Sequence, residues 1–388
     1  MMFRHLTIIL FLLAAVTTAT PFYAQPVPED SMQVLHLNQT TTTGSLPSDT
    51  ASHTRKPGLI KRFINAFNAT DTTYIIPNKY NWAFMMQSTN SFEFFSLSSD
   101  EYDQRITFSP RPATKIGPYL GWRWIFLGYT FDVSSFGKNQ RSQKTEFELS
   151  LYSSMLGCDL IYRNTGNDFR LRKVKGLGDE AETREGTLCN GINVRMKGIN
   201  AYYIFNHKRF SYPAAFAQST VQRKSCGTWK LGCSITQHTI DFDYNAIVQQ
   251  INPSGNNSLN AEFKIDKIKY TDYSITFGYA YNWVFKPQWL FCISLTPAIG
   301  YKTASTDMLK NEEENSGQFL PGFDIENFNF DATLRTALVW NNTRYFGGLS
   351  LILHTYNYMH NKLNISNTFG TLNIYLGLNF HKRKQYRP

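Results

Sequence analysis

From Asn81 onward, hydrophobic and polar residues alternate with a period of two over most of the chain. In the clearest stretch, 272–283, every odd position is aromatic or aliphatic and every even position is small or polar. Successive side chains of a strand point to opposite faces, so this period indicates β-strands. The pattern resumes after candidate turns at Lys286–Gln288 and Asn341–Thr343. It predicts an all-β chain.

The second face of these strands carries Ser, Thr, Gly, Ala and Asn instead of long charged side chains. A soluble sandwich displays charged residues on its outer face, whereas a membrane barrel sends its apolar face to lipid and its small polar face inward. We therefore predict a single antiparallel transmembrane β-barrel, with a soluble β-sandwich as the alternative. The strands number about twelve if 210–242 forms one long strand with an irregular middle, and about fourteen if it forms a hairpin.

Long and short connections alternate along the sequence, as external loops and periplasmic turns do in outer-membrane barrels. Short turns are predicted near Ser153, at Asn206–Lys208, at Lys286 and at Asn341. Long connections are predicted at 134–144, 163–191, 243–269, 303–325 and 358–370.

The last predicted strand lies almost at the chain end and closes with an aromatic residue. We expect it to pair with the first strand, near Asn81–Gln87, which would remove both sheet edges. Its apolar face is the predicted signal for the barrel-insertion machinery, comprising Leu372, Ile374, Leu376, Leu378 and Phe380. The basic tail 382–388 follows this strand and is expected to be dispensable.

The N-terminus combines a positive Arg4, a short apolar run and small residues up to Ala24, which is the layout of a cleaved signal peptide. Residues 25–54 are rich in Thr, Ser and Pro and predict a disordered leader. Within 55–78, apolar residues at helical spacing predict a short amphipathic helix before the barrel. The barrel itself is assigned to 79–381, and the signal peptide predicts the outer membrane of a Gram-negative bacterium as its location.

Composition adds limited detail. Aromatic residues make up 15% of the chain, which suits strands and membrane-interface girdles. The formal charge of +10 is spread over loops and tails, so we expect membrane lipid and not nucleic acid as a partner. The five cysteines lack the spacing of a metal or redox site; Cys226 and Cys233 are either a local disulfide pair or apolar fillers. The oligomeric state is left open.

The segment Lys115–Asp132, reading KIGPYLGWRWIFLGYTFD, combines aromatic and glycine positions that no ordinary strand requires. Together with Asn78–Trp82, Thr145–Tyr152 and Arg163–Asp168 it resembles an uncharacterised family of Bacteroidota proteins, domain of unknown function 4421. The resemblance covers nearly everything after the leader. It implies an outer-membrane barrel and carries over neither an activity nor catalytic residues.

Charged residues on the non-lipid face are the main candidates for chemistry. Buried charges are costly unless they are paired or hydrated, so they form either a closed structural network or the lining of an aqueous path. The candidate lumen charges are Asp132, Glu146, Glu148, Asp159, Arg163, Arg195, Lys197, Asp272, Asp331 and Arg335. No metal or cofactor motif is recognised, and we predict no cofactor.

Catalytic candidates are weak. Ser350 and His354 share a strand face but lie roughly 13 Å apart, too far for a direct hydrogen bond. His238, near Asp241 and Asp243, is a second candidate. The favoured reading is therefore a non-enzymatic barrel with a channel, transport or structural surface role. The alternatives are a barrel that binds a ligand or partner through its long loops, and a membrane-embedded hydrolase.

Overall fold

A computed structural model describes residues 70–99, 101–122, 125–133, 144–166, 168–189, 191–251, 263, 267–307, 328–360 and 363–387. The predicted signal peptide, the leader and the helical pattern within 55–78 up to residue 69 lie outside these residues. All described residues belong to one compact unit, 57–388.

Seventeen strands are present in the described chain. In chain order they are β1 (Ile75–Pro77), β2 (Tyr80–Ser99), β3 (Gln104–Pro110), β4 (Ala113–Trp122), β5 (Ile125–Gly128), β6 (Phe131–Asp132), β7 (Thr145–Tyr152), β8 (Leu156–Asn164), β9 (Phe169–Lys175), β10 (Ile192–Ile204), β11 (Thr220–Gln222), β12 (Cys226–Phe242), β13 (Lys267–Lys286), β14 (Trp289–Asp307), β15 (Phe328–Asn341), β16 (Tyr345–His360) and β17 (Leu363–Lys382). Helices α1 (Asp179–Glu182), α2 (Tyr212–Phe216) and α3 (Tyr244–Ile251) and a 3-10 turn (Lys384–Tyr386) complete the list. No helix of the described chain is both long and apolar enough to cross a membrane.

Twelve strands form one continuous antiparallel wall in the order β5-β4-β2-β17-β16-β15-β14-β13-β12-β10-β8-β7. The last strand pairs with β2 over nearly its whole length, from Leu363 opposite Ser99 to Phe380 opposite Trp82. The predicted all-β barrel of about twelve strands is confirmed, and so is the pairing of its last strand with its first. The expectation that this pairing removes both sheet edges is wrong for the described chain, because β5 and β7 form the two ends of the strand order.

The wall curls until its two ends meet. Glu146 of β7 lies 3.4 Å from Lys115 of β4 and accepts a hydrogen bond from Ser91 of β2 at 2.9 Å. These contacts join β7 to strands at the far end of the strand order, so the sheet encloses an interior.

One end of the barrel holds the tight turns, and we call it the turn end. It contains residues 153–155, 287–288 and 342–344 together with the start of β2 and the end of β17. The 342–344 turn is built by Asn342, whose side-chain oxygen accepts from the backbone N–H of Tyr345 at 2.7 Å. Such a turn suits the Asn-rich sequence there, because Asn readily bonds to backbone a few residues on. The opposite end is the loop end.

Three predicted connections differ from the structure. The long loop expected at 358–370 is wrong, since β16 and β17 run to His360 and from Leu363. The turn at Asn206–Lys208 forms, but it is not a short connection between neighbouring wall strands. The long strand over 210–242 is also wrong, because only Thr220–Gln222 and Cys226–Phe242 are strands there. Residues 205–225 instead form a folded segment at the turn end, which we call the plug.

The plug contains α2 and β11. Helix α2 begins at Ser211, whose hydroxyl accepts from the backbone N–H of Ala214, with Pro213 in the first turn. Strand β11 pairs with β1, so the segment that precedes the barrel is joined to the plug. Tyr212, Ala214 and Ala215 are buried.

The loop end is covered by a second folded part, which we call the cap. It consists of β3, β9, α1, α3 and the adjoining strand ends, and it has an apolar core that includes Phe95, Phe108, Phe169 and Ile247. Apolar side chains in these connections therefore pack as a small soluble core. All five cysteines are free thiols, so Cys226 and Cys233 are not a disulfide pair.

Candidate functional site

Most of the charged residues that were predicted to face the lumen lie inside the barrel. Asp159, Arg163, Asp272, Asp331 and Arg335 are buried. Asp132, Glu146 and Glu148 are partly buried. Arg195 and Lys197 are exposed on the outer face of β10, so their assignment to the lumen is wrong. The alternation on β10 places Val194, Met196 and Tyr202 inside, so the odd-numbered Arg195 and Lys197 point to the outer face.

Arg335 on β15 bridges the interior to β8. Its guanidinium lies 2.7 Å from Asp159 and donates to the Tyr152 hydroxyl at 2.6 Å. Four strands separate β15 from β8 along the wall, so this ion pair joins opposite sides of the barrel. Asp159 also accepts from Ser150 at 2.7 Å and from Asn200 at 3.0 Å, which satisfies both carboxylate oxygens.

A second bridge joins β8 to β2 and β7. Arg163 lies 2.6 Å from Glu146 and 3.3 Å from Glu93, and its guanidinium stacks 4.3 Å from the Phe369 ring centre. Lys144 adds a contact of 2.9 Å to Glu146. A charge cluster of this kind is stable in a buried setting because each carboxylate has a cationic partner.

A third cluster lies between neighbouring strands. Lys302, fully buried on β14, contacts Asp331 at 2.9 Å and also donates to the backbone carbonyl of Asn357. Asp272 accepts from Ser274 at 2.8 Å. The interior is therefore held by paired charges along much of its height.

The catalytic candidates do not form a catalytic pair. No hydrogen bond joins Ser350 to His354 in the described chain, and His354 instead contacts Thr333 at 3.2 Å and lies 3.9 Å from Glu148. His238 is buried and stacks on the Tyr270 ring at 4.6 Å. Asp241 lies on the outer face of the same strand, and Asp243 accepts from the backbone N–H of Ala246 at the start of α3.

The plug fills the turn end of the interior with directional contacts. Tyr212 donates to Ser294 at 2.5 Å and stacks on Tyr152 with ring centres 5.8 Å apart. Gln218 donates to the Tyr375 hydroxyl at 2.7 Å. These contacts tie the plug to β14, β7 and β17, so it reaches several parts of the wall.

A small cavity of about 30 Å³ lies inside the barrel. Its lining includes Lys230, Thr236, Arg335 and His354. The volume holds roughly two or three water molecules. Within the described ranges, no group of three or more His, Cys, Asp or Glu side chains is arranged to hold a metal ion.

A family model described as "Domain of unknown function (DUF4421)" matches residues 69–380. The chain belongs to this family. The match covers the plug, the cap and the wall as far as Phe380, so the whole enclosed interior lies within the DUF4421 region. No curated protein matches the sequence.

Several solved structures are similar to this DUF4421 chain at low identity. The outer membrane protease OmpT from Escherichia coli aligns with 8% identity and a TM-score of 0.34, covering 80% of this chain and 100% of its own. The toluene transporter TodX of P. putida aligns with 8% identity and a TM-score of 0.23, covering 78% of this chain and 91% of its own. The outer membrane protein OprG from Pseudomonas aeruginosa aligns with 9% identity and a TM-score of 0.22, covering 79% of this chain and 98% of its own. These scores are too low to transfer any property.

Sequence reasoning missed several interior residues of the DUF4421 barrel. Glu93 and Lys302 lie on strands that continue well past the predicted ends, and extending the alternation of β2 and β14 would have placed both inside. Tyr212 and Gln222 were missed for a different reason. They belong to the plug, whose inward fold leaves no periodic signal in the sequence.

Proposed function

We propose that this protein is a non-enzymatic outer-membrane barrel with a closed interior that displays its cap at the cell surface. The turn end faces the periplasm and the loop end faces the exterior. The observation that carries the proposal is the Arg335–Asp159 ion pair, which joins opposite walls across the lumen.

The apolar outer face supports insertion in a membrane. On β13 it runs from Tyr273 to Phe285, and Ile275 within it is 66% exposed. This stretch spans roughly 40 Å of strand at about 3.3 Å per residue. At the roughly 45° tilt of membrane strands it covers roughly 28 Å of thickness, close to the apolar band of outer-membrane barrels.

The interior argues for a structural role over an open channel. The cross-lumen contact of Arg335 and the charge cluster around Arg163 occupy the interior, the plug fills the turn end and the cap covers the loop end. A water-filled pore requires charges that face solvent, whereas these charges face one another. The cap is then the part available to a ligand or partner outside the cell.

Assembly fits the same proposal. Ile374, Leu376, Leu378 and Phe380 of the last strand are exposed on the outer face, where membrane lipid and the barrel-insertion machinery would meet them. Secretion would follow cleavage of the N-terminal signal peptide. The separated positions of Ser350, His354 and His238 favour lining roles over hydrolysis.

Planar bilayer recording tests the closed interior. We expect purified wild-type protein that shows heat-modifiable gel mobility to give no discrete conductance steps. Steady channels from such folded protein would contradict the proposal. Recovery of soluble protein without detergent would contradict the membrane assignment separately.

A double-mutant cycle tests whether the charges form a structural bridge. Arg335→Met or Asp159→Leu alone leaves one buried charge unpaired and should lower the free energy of unfolding by about 3 to 5 kcal/mol. The double variant should recover most of this loss. Arg105→Met, an exposed arginine of the cap, is the matched control and should cost little. Small single effects at Arg335 and Asp159 would indicate hydrated charges that line a path.

A further inference from the structure

On β10, β12, β13 and β14, the apolar outer face ends towards the loop end at one row of paired residues. The row joins residues that are direct partners on neighbouring strands: Ile199, Ile235, Tyr273 and Tyr301. The first three are between 46% and 52% exposed. On the proposed function, this row marks the upper edge of the lipid hydrocarbon.

The next two outward rows towards the loop end carry basic and hydroxyl side chains. The lower row is Lys197, Gln237, Thr271 and Thr303, and the upper row includes Arg195, Thr239 and Lys269. Arg195, Lys197 and Lys269 are exposed. These three cations, with the Thr and Gln residues between them, form what we call the basic rim.

Acidic charge compensates only part of this positive charge. Asp241 lies 2.7 Å from Arg195 and 3.8 Å from Lys267. Within the described chain, Lys197 and Lys269 form no ion pair. The basic rim therefore keeps a positive excess beside the membrane boundary.

We propose that the basic rim binds the phosphorylated glycolipid of the outer leaflet. This inference rests on the membrane orientation given under the proposed function. Arg195 and Lys269 share one row with a strand between them, so their backbones are roughly 10 Å apart and their side chains can converge on a phosphate. Gln237, Thr239 and Thr271 supply amide and hydroxyl groups that suit sugar hydroxyls, and Tyr273 and Tyr301 lie beneath at the acyl-chain boundary.

The test compares thermal stabilisation of the detergent-solubilised full chain by added diphosphoryl lipid A, phosphatidylglycerol and phosphatidylcholine. We expect lipid A to stabilise the wild type most strongly. A cation beside an anionic headgroup contributes about fivefold in affinity, so R195Q/K197Q/K269Q should weaken lipid A binding on the order of 100-fold.

The control variant K382Q/K384Q/R387Q removes the same number of positive charges at the turn end, where all three residues are exposed. It should bind lipid A as the wild type does. An equal loss in both variants would indicate general electrostatic attraction and would overturn the proposal. So would an unchanged triple rim variant, or equal stabilisation by phosphatidylglycerol. Heat-modifiable mobility is measured in parallel, so failure of the barrel assignment is seen separately from failure of lipid binding.

Discussion

The two ends of the barrel are closed by different kinds of structure. At the loop end, the cap buries an apolar core in which Phe95 and Phe169 pack with ring centres 6.4 Å apart. At the turn end, the plug also packs Tyr212, Ala214 and Ala215 against the wall, but its β11 part is held by polar side chains, among which Gln222 forms several hydrogen bonds. Its amide oxygen accepts from Ser211 and Asn282, and its nitrogen lies within hydrogen-bond distance of three backbone carbonyls.

This difference predicts different responses to damage. Apolar burial is non-directional and spread over many side chains, so a cap should loosen in proportion to the volume removed. Hydrogen bonds are directional, and a lost partner leaves buried groups unpaired. A single polar substitution should therefore loosen the β11 part of the plug, whereas the cap needs a large core deletion.

The largest expected effect is in the cap. Phe169→Ala removes a fully buried ring and should lower the local stability of the cap by about 3 to 5 kcal/mol. Hydrogen exchange of the β9 amides measures this loss. Phe330→Ala is the control, since Phe330 is 71% exposed on the outer face. Equal loss of protection in both variants would show that the cap has no independent core.

The next effect is in the plug. Gln222→Ala should destabilise the pairing of β1 with β11 by about 2 to 3 kcal/mol, because several buried polar groups lose their partner. Hydrogen exchange of residues 220–222 and 75–77 reports it, while β9 should keep its protection. Gln237→Ala on the outer face is the control. Unchanged exchange at β11 would mean that apolar contacts hold the plug.

The smallest effect concerns pH at the cap edge. Two hydrogen bonds from the Lys175 ammonium, at 2.8 and 2.9 Å, together with its charge, lower the pKa of Asp103 below its ordinary value of 3.8. A lowered folded-state pKa stabilises the fold above the unfolded pKa and loses that contribution as pH falls through the folded pKa. Both groups are exposed, so the effect should be slight.

Comparing wild type with Asp103→Asn across pH 2 to 6 checks this point. The variant should show a slightly flatter decline of cap protection as the solution is acidified. An identical pH dependence in both proteins would show that the Asp103–Lys175 pair contributes nothing.

The barrel wall was largely predictable from local pattern. The alternation at 272–283 and in the last strand fixes which residues face outward, because the side-chain period of a strand is two. The prediction failed at Arg195 and Lys197, which are exposed on the outer face of β10. The apolar residues Val194, Met196 and Tyr202 indicate which face of β10 points inward.

The sequence by itself determined the all-β class, the approximate strand number and the closing pair of β17 with β2, since these follow from periodicity and chain order. Only the tertiary structure decided that Arg335 meets Asp159 across the interior and that residues 205–225 fold inward. Those contacts join segments far apart in sequence, and their formation depends on the curvature of the closed wall. The physical reason is that periodicity records the two faces of a strand but not which strands lie opposite one another.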